Sequence, residues 1–408
     1  MTKSIGVWRS WALVAGMMIG SGIYTLPSVL APYGSFSFIA WLITGFGALC
    51  LALCYSYLSA RKPGLGGPYY YVYEAFGKYP AAIVGWGYWI SLWSAAAAIA
   101  LSFAGYMQAL IPALNNTPLP TALLAVVGIV FFTLINLRGS REAGAVQLLM
   151  TIIKILPLLL IGGLGTIYGT VTNIPAINPD GAPLASMISA MCLLIMWAFI
   201  GVESATVPAE DIIEPEKNIP RASILGTLTA LIVYLVAMFG VMSLLPLADL
   251  QQSNSPFSDA ARLLMGDYGA LIITLGALFA IGGALNVTIM MCGSIMLAGA
   301  RDHIFPVFFS RQNRRGTPLR ALLISSILAI ILLLFNASSA LLKGFETMLI
   351  ISTFAVLIAY LGTGLASIKL QFNDYQQGVS INYVKLVIAL LASLFSLLAI
   401  IGAWVLYQ

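Results

Sequence analysis

Eleven apolar runs divide this chain, most of them close to the 20 or so residues that a helix needs to cross the hydrocarbon core of a bilayer. They fall at 8–30, 36–58, 81–111, 121–137, 145–168, 185–208, 222–246, 268–298, 321–336, 345–368 and 386–406, the run at 321–336 being the shortest. Hydrophobic residues make up 60% of the 408 positions and charged residues only 8%, against about 25% charged in a typical soluble domain. Such a chain cannot cover itself with polar surface, so its solvent is lipid. The expected fold class is an all-α polytopic membrane protein of about eleven transmembrane helices, in one domain spanning 1–408. The largest loops, roughly 59–80, 247–267 and 299–320, are too small for a catalytic domain. No P-loop, HExxH, GxSxG or dinucleotide-binding GxGxxG context is present. The chain is not expected to be an enzyme, and its function must be built from the spans.

The formal net charge of +5 invites a nucleic-acid partner, but the positions of the charges argue against one. No basic stripe or aromatic-interleaved patch exists. With the N-terminus in the cytoplasm, all but three of the 19 lysines and arginines fall in inner loops. Arg262 and Lys343 lie outside, and Lys154 lies within a span. The positive-inside rule thus places the N-terminus in the cytoplasm, and an odd number of spans places Gln408 outside. The first apolar run, from about Val7, is longer than the core of a cleavable signal peptide. Cys50, Cys54, Cys192 and Cys292 all lie in apolar runs, and His303 is the single histidine. Neither a metal site, a cofactor nor a disulfide framework is expected.

The informative residues are those that do not belong in lipid. Lys154, near the middle of the fifth span, costs at least about 2.5–3.5 kcal/mol there unless it faces the bundle interior and is paired. Snorkelling is the bland alternative, but either end is ten or more residues away. Glu203 in the sixth span is five residues before Pro208 and close to the acidic Glu210-Asp211. It reads either as a helix-end carboxylate reaching the surface or as an interior group where Gly201 lets the helix unwind. Unwound backbone at membrane depth is tolerated only where it is buried or lines a cavity. In the first span, Gly16 and Gly20 form a GxxxG that would serve close packing. Ser21 and Gly22 directly after it suggest a break instead, and the exposed helix N-terminus would bind a carboxylate. Breaks in the first and sixth spans, five apart, are what an inverted five-plus-five repeat produces, with the substrate site between them. The repeats would be 1–169 and 184–370, with 383–408 as an additional helix. Asn286 and Thr288 in the eighth span and Tyr88 in the third could line the same cavity or serve as interhelical contacts.

These residues carry a family likeness. Gly20-Ser-Gly-Ile-Tyr24-Thr-Leu-Pro27 resembles the first-helix motif of the amino acid–polyamine–organocation transporters. Gly66-Gly-Pro-Tyr69-Tyr-Tyr71, leading to Phe76-Gly77, is similar to their second-to-third-helix loop. Phe199-Ile-Gly-Val-Glu203-Ser204, with Pro215-Glu-Lys-Asn-Ile-Pro220-Arg221-Ala222 after it, resembles their sixth helix and the loop that follows. Ser255-Pro-Phe-Ser-Asp259-Ala-Ala-Arg262 is similar to an outer loop of the basic amino acid/polyamine antiporter branch. Together the motifs cover roughly residues 8–320 in order.

The resemblance implies a five-plus-five inverted-repeat transporter working by alternating access in a bacterial inner (plasma) membrane, with homodimeric assembly as an option. It assigns the substrate carboxylate to Ser21 and Gly22, and the α-amino group to carbonyls at Met18, Trp197 and Ile200. Glu203 would take part in proton or substrate coupling, and Tyr88 in gating. Lys154 is similar to the fifth-helix lysine of sodium-independent relatives, which implies a tie to the broken first helix and no need for sodium. Thr288 stands where the arginine exchanger of the family has an aromatic, and Met17 and Ala96 stand for two asparagines. These departures remove groups that would hold a guanidinium. Relatives also usually have a twelfth helix.

The resulting expectation is a sodium-independent exchanger or proton-coupled permease of L-amino acids, with neutral side chains favoured. The alternative is an antiporter of cationic amino acids or polyamines with Glu203 as counter-charge. A channel or a membrane-embedded enzyme is the alternative from another class. Neither a ring of charges or carbonyl filters nor a catalytic set within the spans is visible.

Overall fold

The computed structural model describes residues 5–62, 67–111, 118–138, 143–174, 177, 183–206, 212–313 and 316–407, with 143–150 and 407 as backbone only. Gly66, Pro208, Glu210, Asp211 and Gln408 lie outside the described residues. Among those described, nine helices are long and apolar enough to cross a membrane, and two shorter apolar helices, Leu184–Phe199 and Leu319–Phe335, complete the set of eleven runs. A lipid core offers the backbone no hydrogen-bond partner, so a chain this apolar folds into helices, which satisfy their own. The first span is split into α1 (Val7–Met18) and α2 (Ser21–Leu30). It is followed by α3 (Phe36–Arg61), α4 (Pro68–Phe76), α5 (Lys78–Leu110), α6 (Pro118–Leu137) and α7 (Ala143–Tyr168). Next come α8 (Leu184–Met196), α9 (Pro215–Leu244), α10 (Leu247–Gln252), α11 (Pro256–Arg301), α12 (Leu319–Phe335), α13 (Leu341–Gln376) and α14 (Tyr383–Tyr407).

The bundle packs through small residues, as helices must where lipid competes equally for large apolar side chains. On α7, Gly162 and Gly165 meet α9 so closely at Val236 and Gly240 that neither glycine has room for a Cβ. Gly402 on α14 sits in the same way on the backbone of α8 at Ser189. α5 runs through the centre and packs on α11 and α13. The outer faces are left apolar: Ile39, Leu42 and Phe46 on α3 and Leu394, Leu397 and Ile401 on α14 are all exposed from the protein, which lipid solvates.

Two loops hold structure that hydropathy does not reveal. In the 59–80 loop, α4 is started by Gly67 and ended by Gly77, both at positive φ. In the 247–267 loop, α10 is followed by the start of α11, which bends at Gly266 (φ 68) before entering the membrane. Ionic and hydrogen-bond ties cross the end of the bundle rich in lysine and arginine. Arg61 on α3 grips Asp374 on α13 with its Nε and an Nη, the closest contact being 2.7 Å, and Tyr57 donates to the same carboxylate at 3.1 Å. Tyr69 of α4 donates to Asp302, just past the end of α11, at 2.8 Å. Lys62 pairs with Glu74 at 2.8 Å.

Candidate functional site at the paired helix breaks

Glycines decide where the first and sixth spans stop being helix. α1 ends at Met18, Ile19 leaves helical geometry (ψ 88), and Gly20 adopts φ −141, ψ −141 before α2 begins at Ser21. A Cβ on Gly20 would sit 2.8 Å from the Cβ of Ala284 on α11, so only glycine allows this approach. In the sixth span, α8 gives way to a 3₁₀ turn at Trp197–Phe199, then to turns at 200–203 and a second 3₁₀ turn at Ser204–Thr206. Gly201 lies at φ 112, a region that side-chain-bearing residues avoid, and its Hα side faces Met17. Gly22 in turn presses on Ala198 and Trp197, with no more than 3.1 Å for a Cβ. The two breaks therefore lie against each other. Ser204 donates to Leu13 O of α1 at 3.3 Å and also to Gly201 O.

Between them lies a small cavity. Of the residues singled out from sequence, Met18, Ser21, Gly22, Trp197, Ile200 and Thr288 all line it, and Met17 does too. Ala95 rather than Ala96 faces it from α5. Asn286 does not: its side-chain oxygen accepts from Asn136 on α6 at 2.8 Å and ties two helices. The cavity measures about 40 Å³, room for a few waters at most, so its walls must part to admit any larger solute. α2 begins with no side-chain cap, leaving first-turn N–H groups directed at an anion position. α1 ends in carbonyls that suit an ammonium. The cavity thus has opposite polarities at its two backbone ends and, among the described residues, no charged side chain on its walls.

Lys154 and Glu203 flank the breaks and do not line the cavity. Lys154 is buried, and its ammonium donates to Gly16 O in the last turn of α1 at 3.3 Å. Its Cε and Nζ pack over Gly283 of α11, where a Cβ would sit 3.3 Å away. Its own carbonyl accepts from Tyr24 of α2 at 3.0 Å, so one residue of α7 contacts both halves of the broken span.

Glu203 is fully buried. Tyr88 of α5 donates to Oε1 at 2.6 Å and Tyr360 of α13 to Oε2 at 2.8 Å. Among the described residues no cation pairs with it. Tyr55 of α3 stacks edge-on with Tyr360 and shares a hydrogen bond with Thr363 at 3.1 Å. Tyr88 lies one turn from Ser91 and Leu92, which face the cavity, so the carboxylate cluster is about 5 Å further along α5. Sequence reasoning singled out Tyr88 and Glu203 but passed over Tyr360 and Tyr55. Their one available signal was a tyrosine in mid-span, which a packing role explains equally well.

At the end of the bundle away from the ionic ties, a second cavity of about 540 Å³ opens. Leu101 of α5 lines it two residues beyond Ile99, which lines the small cavity. Trp197 packs edge-on at 6.2 Å against Phe345, two residues from Lys343 on the wall of the larger cavity.

Comparison with known proteins adds to this geometry. A family model described as amino acid permease matches residues 5–407. The chain is 28% identical to the putative arginine/ornithine antiporter of Bacillus subtilis (strain 168) over 98% of its length and 92% of that protein's. It is 29% identical to the cadaverine/lysine antiporter of Escherichia coli (strain K12), covering 98% of this chain and 90% of the relative. An arginine/ornithine antiporter of Pseudomonas aeruginosa is 31% identical over 86% of this chain and 75% of its own.

Proposed function

Because the chain belongs to the amino acid permease family, within the amino acid–polyamine–organocation transporters, we propose that it is a sodium-independent antiporter exchanging cationic amino acids, or a cationic amino acid against a diamine. It is a transporter rather than an enzyme. The observation that carries the substrate class is the relatives: those matched over nearly the whole chain are named for basic amino acids and a diamine. This moves the weight from neutral amino acids, which the apolar lining alone favours, to the cationic alternative.

The geometry supports a division of labour. The α2 N-terminus at Ser21 and Gly22 receives the carboxylate, and carbonyls at Met18, Trp197 and Ile200 receive the α-ammonium. Thr288 faces the side chain, and the indole of Trp197 offers a π face to a cation. Glu203, one turn of α5 from the cavity, supplies the counter-charge. It exchanges its tyrosine donors for the substrate cation or for a proton as the site opens. Lys154 holds the end of α1 by its ammonium, where a sodium-coupled site would need a metal. The two breaks belong to inverted repeats, 1–169 and 184–370, and rocking of one against the other alternates access. The lysine- and arginine-rich end, with the N-terminus, is cytoplasmic in a bacterial inner membrane.

A second reading, exchange of neutral amino acids, is favoured by one observation: no described residue lining the cavity is charged. Counterflow into proteoliposomes separates them. Vesicles loaded with lysine, ornithine, cadaverine or leucine, with and without sodium and a pH gradient, should accumulate labelled lysine only against the cationic loads and regardless of sodium. Leucine-driven uptake of leucine without any lysine counterflow would overturn the cationic reading, and a sodium requirement would remove the role given to Lys154.

A further inference from the structure

The second cavity does not yet have a role. It is the 540 Å³ vestibule at the end away from the ionic ties, the outer end in the proposed orientation. Its walls carry amides and hydroxyls from several elements. Asn254, before α11, donates to Gln108 Oε1 on α5 at 3.1 Å, and Gln108 donates to Thr121 on α6 at 2.7 Å. These bonds join three elements into a polar rim, with Gln252 and Asn336 beside it. Lys343, in the first turn of α13, is the only charged residue lining the space among those described.

That lysine is unusual on two counts. The outer loops hold just two basic residues, Arg262 and Lys343. Arg262 is bound by two carboxylates, Asp259 at 3.3 Å and Asp267 at 3.2 Å. Lys343 forms no direct ion pair among the described residues; Glu346, three residues on along α13, interacts with it electrostatically but does not line the cavity. The field of this exposed ammonium reaches whatever enters the vestibule, within the range that salt leaves it. Its position makes that field relevant: Gly344 packs on Leu101, and Phe345 closes against Trp197 at the wall of the small cavity.

We propose that the vestibule is a second, outer substrate site in which Lys343 receives the carboxylate of an incoming amino acid and repels its decarboxylated counterpart. A basic amino acid brings a carboxylate for Lys343 and cations for the amide and hydroxyl oxygens of the rim. A diamine brings only positive charge. The vestibule therefore concentrates the acid ahead of the closed inner cavity and discourages rebinding of a diamine just released, which makes the outer face kinetically selective for the acid. This deepens the antiporter reading and rests on it for the choice of lysine and cadaverine as probes.

The test measures external KM for lysine and for cadaverine in right-side-out membrane vesicles containing the full chain. K343Q should raise the lysine KM by about threefold to tenfold, as loss of a direct ionic contact to the substrate carboxylate does, and leave the cadaverine KM unchanged or lower. K343E should widen the gap, K343R should restore it, and high salt should shrink the wild-type preference. Lysine 343 as a topological anchor makes a different prediction: less inserted protein, with both KM values unmoved. That outcome, a parallel shift of both substrates, or failure of K343R to rescue would overturn the proposal. If the wild type transports neither probe, the substrate class is wrong. The same comparison then runs on leucine against 3-methylbutylamine, where selective loss for the acid still upholds the vestibule site and its absence sinks it.

Discussion

At the scale of single residues, the molecule is defined by two charges that lipid would not tolerate. Lys154 and Glu203 are the only buried ionisable side chains of the Lys, Arg, Asp or Glu type among the described residues. The cost of a mid-span charge made both legible in the sequence. Their partners were legible only in part: the family resemblance tied Lys154 to the broken first helix and singled out Tyr88, but not the accepting atom Gly16 O, the pairing of Tyr88 with Glu203, or the second phenol, Tyr360. A carbonyl has no signature in sequence, and Tyr360 looks like any tyrosine in an apolar run. Substrate class was harder still, since the residues facing the cavity are small or apolar and backbone groups make its polar ends. The Lys154 contact carries a prediction. A hydrogen bond from a charged donor contributes about 1.5–3 kcal/mol, and here it fixes the last turn of α1 beside the break. Lys154→Ala should slow counterflow roughly tenfold or more while the protein still inserts and elutes as a single species. Near-normal transport by this variant would remove Lys154 from the working parts.

At the scale of elements, the broken spans depend on glycines that sequence reasoning could flag but not rank. Gly201 combines a positive φ with a Met17 side chain 2.5 Å from where a Cβ would stand. Gly201→Ala should therefore cost about 1–3 kcal/mol in backbone strain alone. Thermal unfolding of the detergent-solubilised variant should come at lower temperature and transport should fall. Gly163→Ala, in open space on α7, serves as the control that changes neither. An equal effect at both positions would mean that glycine loss in general, not the break, is responsible. The short α4 was invisible to hydropathy because its nine residues lie outside any spanning run, yet it ties the lysine- and arginine-rich end of the bundle to α11 through Tyr69 and Asp302. The Arg61–Asp374 pair is only partly buried, so it adds about 1 kcal/mol at most. Combining D374N with Y69F should open that end by roughly that much, about fivefold in population. Hydrogen–deuterium exchange should then speed up in α4 and the last turns of α13, with α6 unchanged. Unaltered exchange in α4 would show that helix packing alone holds that end together.

For the whole molecule, eleven runs of apolar residues were enough to read the architecture, because lipid leaves a chain so few ways to satisfy its backbone. Hydropathy does not say what charge moves during a cycle, but the distribution of buried charge does. Lys154 is held by Gly16, and Glu203 can change its charge only by exchanging a proton. With the charges of Lys154 and Glu203 both constant, the protein contributes no net charge, and in the proposed exchange the substrates carry all of it. Exchange of lysine for lysine is then electrically silent. Exchange of lysine, with one net positive charge, for cadaverine, with two, moves one charge per turnover. A potential of 100 mV acts on that charge with about 2.3 kcal/mol, which biases the distribution roughly fiftyfold. In proteoliposomes with an imposed potassium diffusion potential, lysine-for-cadaverine exchange should follow the sign of the potential and lysine-for-lysine exchange should ignore it. If hetero-exchange in the wild type ignores the potential while Glu203→Gln makes it sensitive, Glu203 carries a compensating proton. Indifference to potential in both proteins would instead show that the charge accounting is wrong, and that a further ion moves with the substrates.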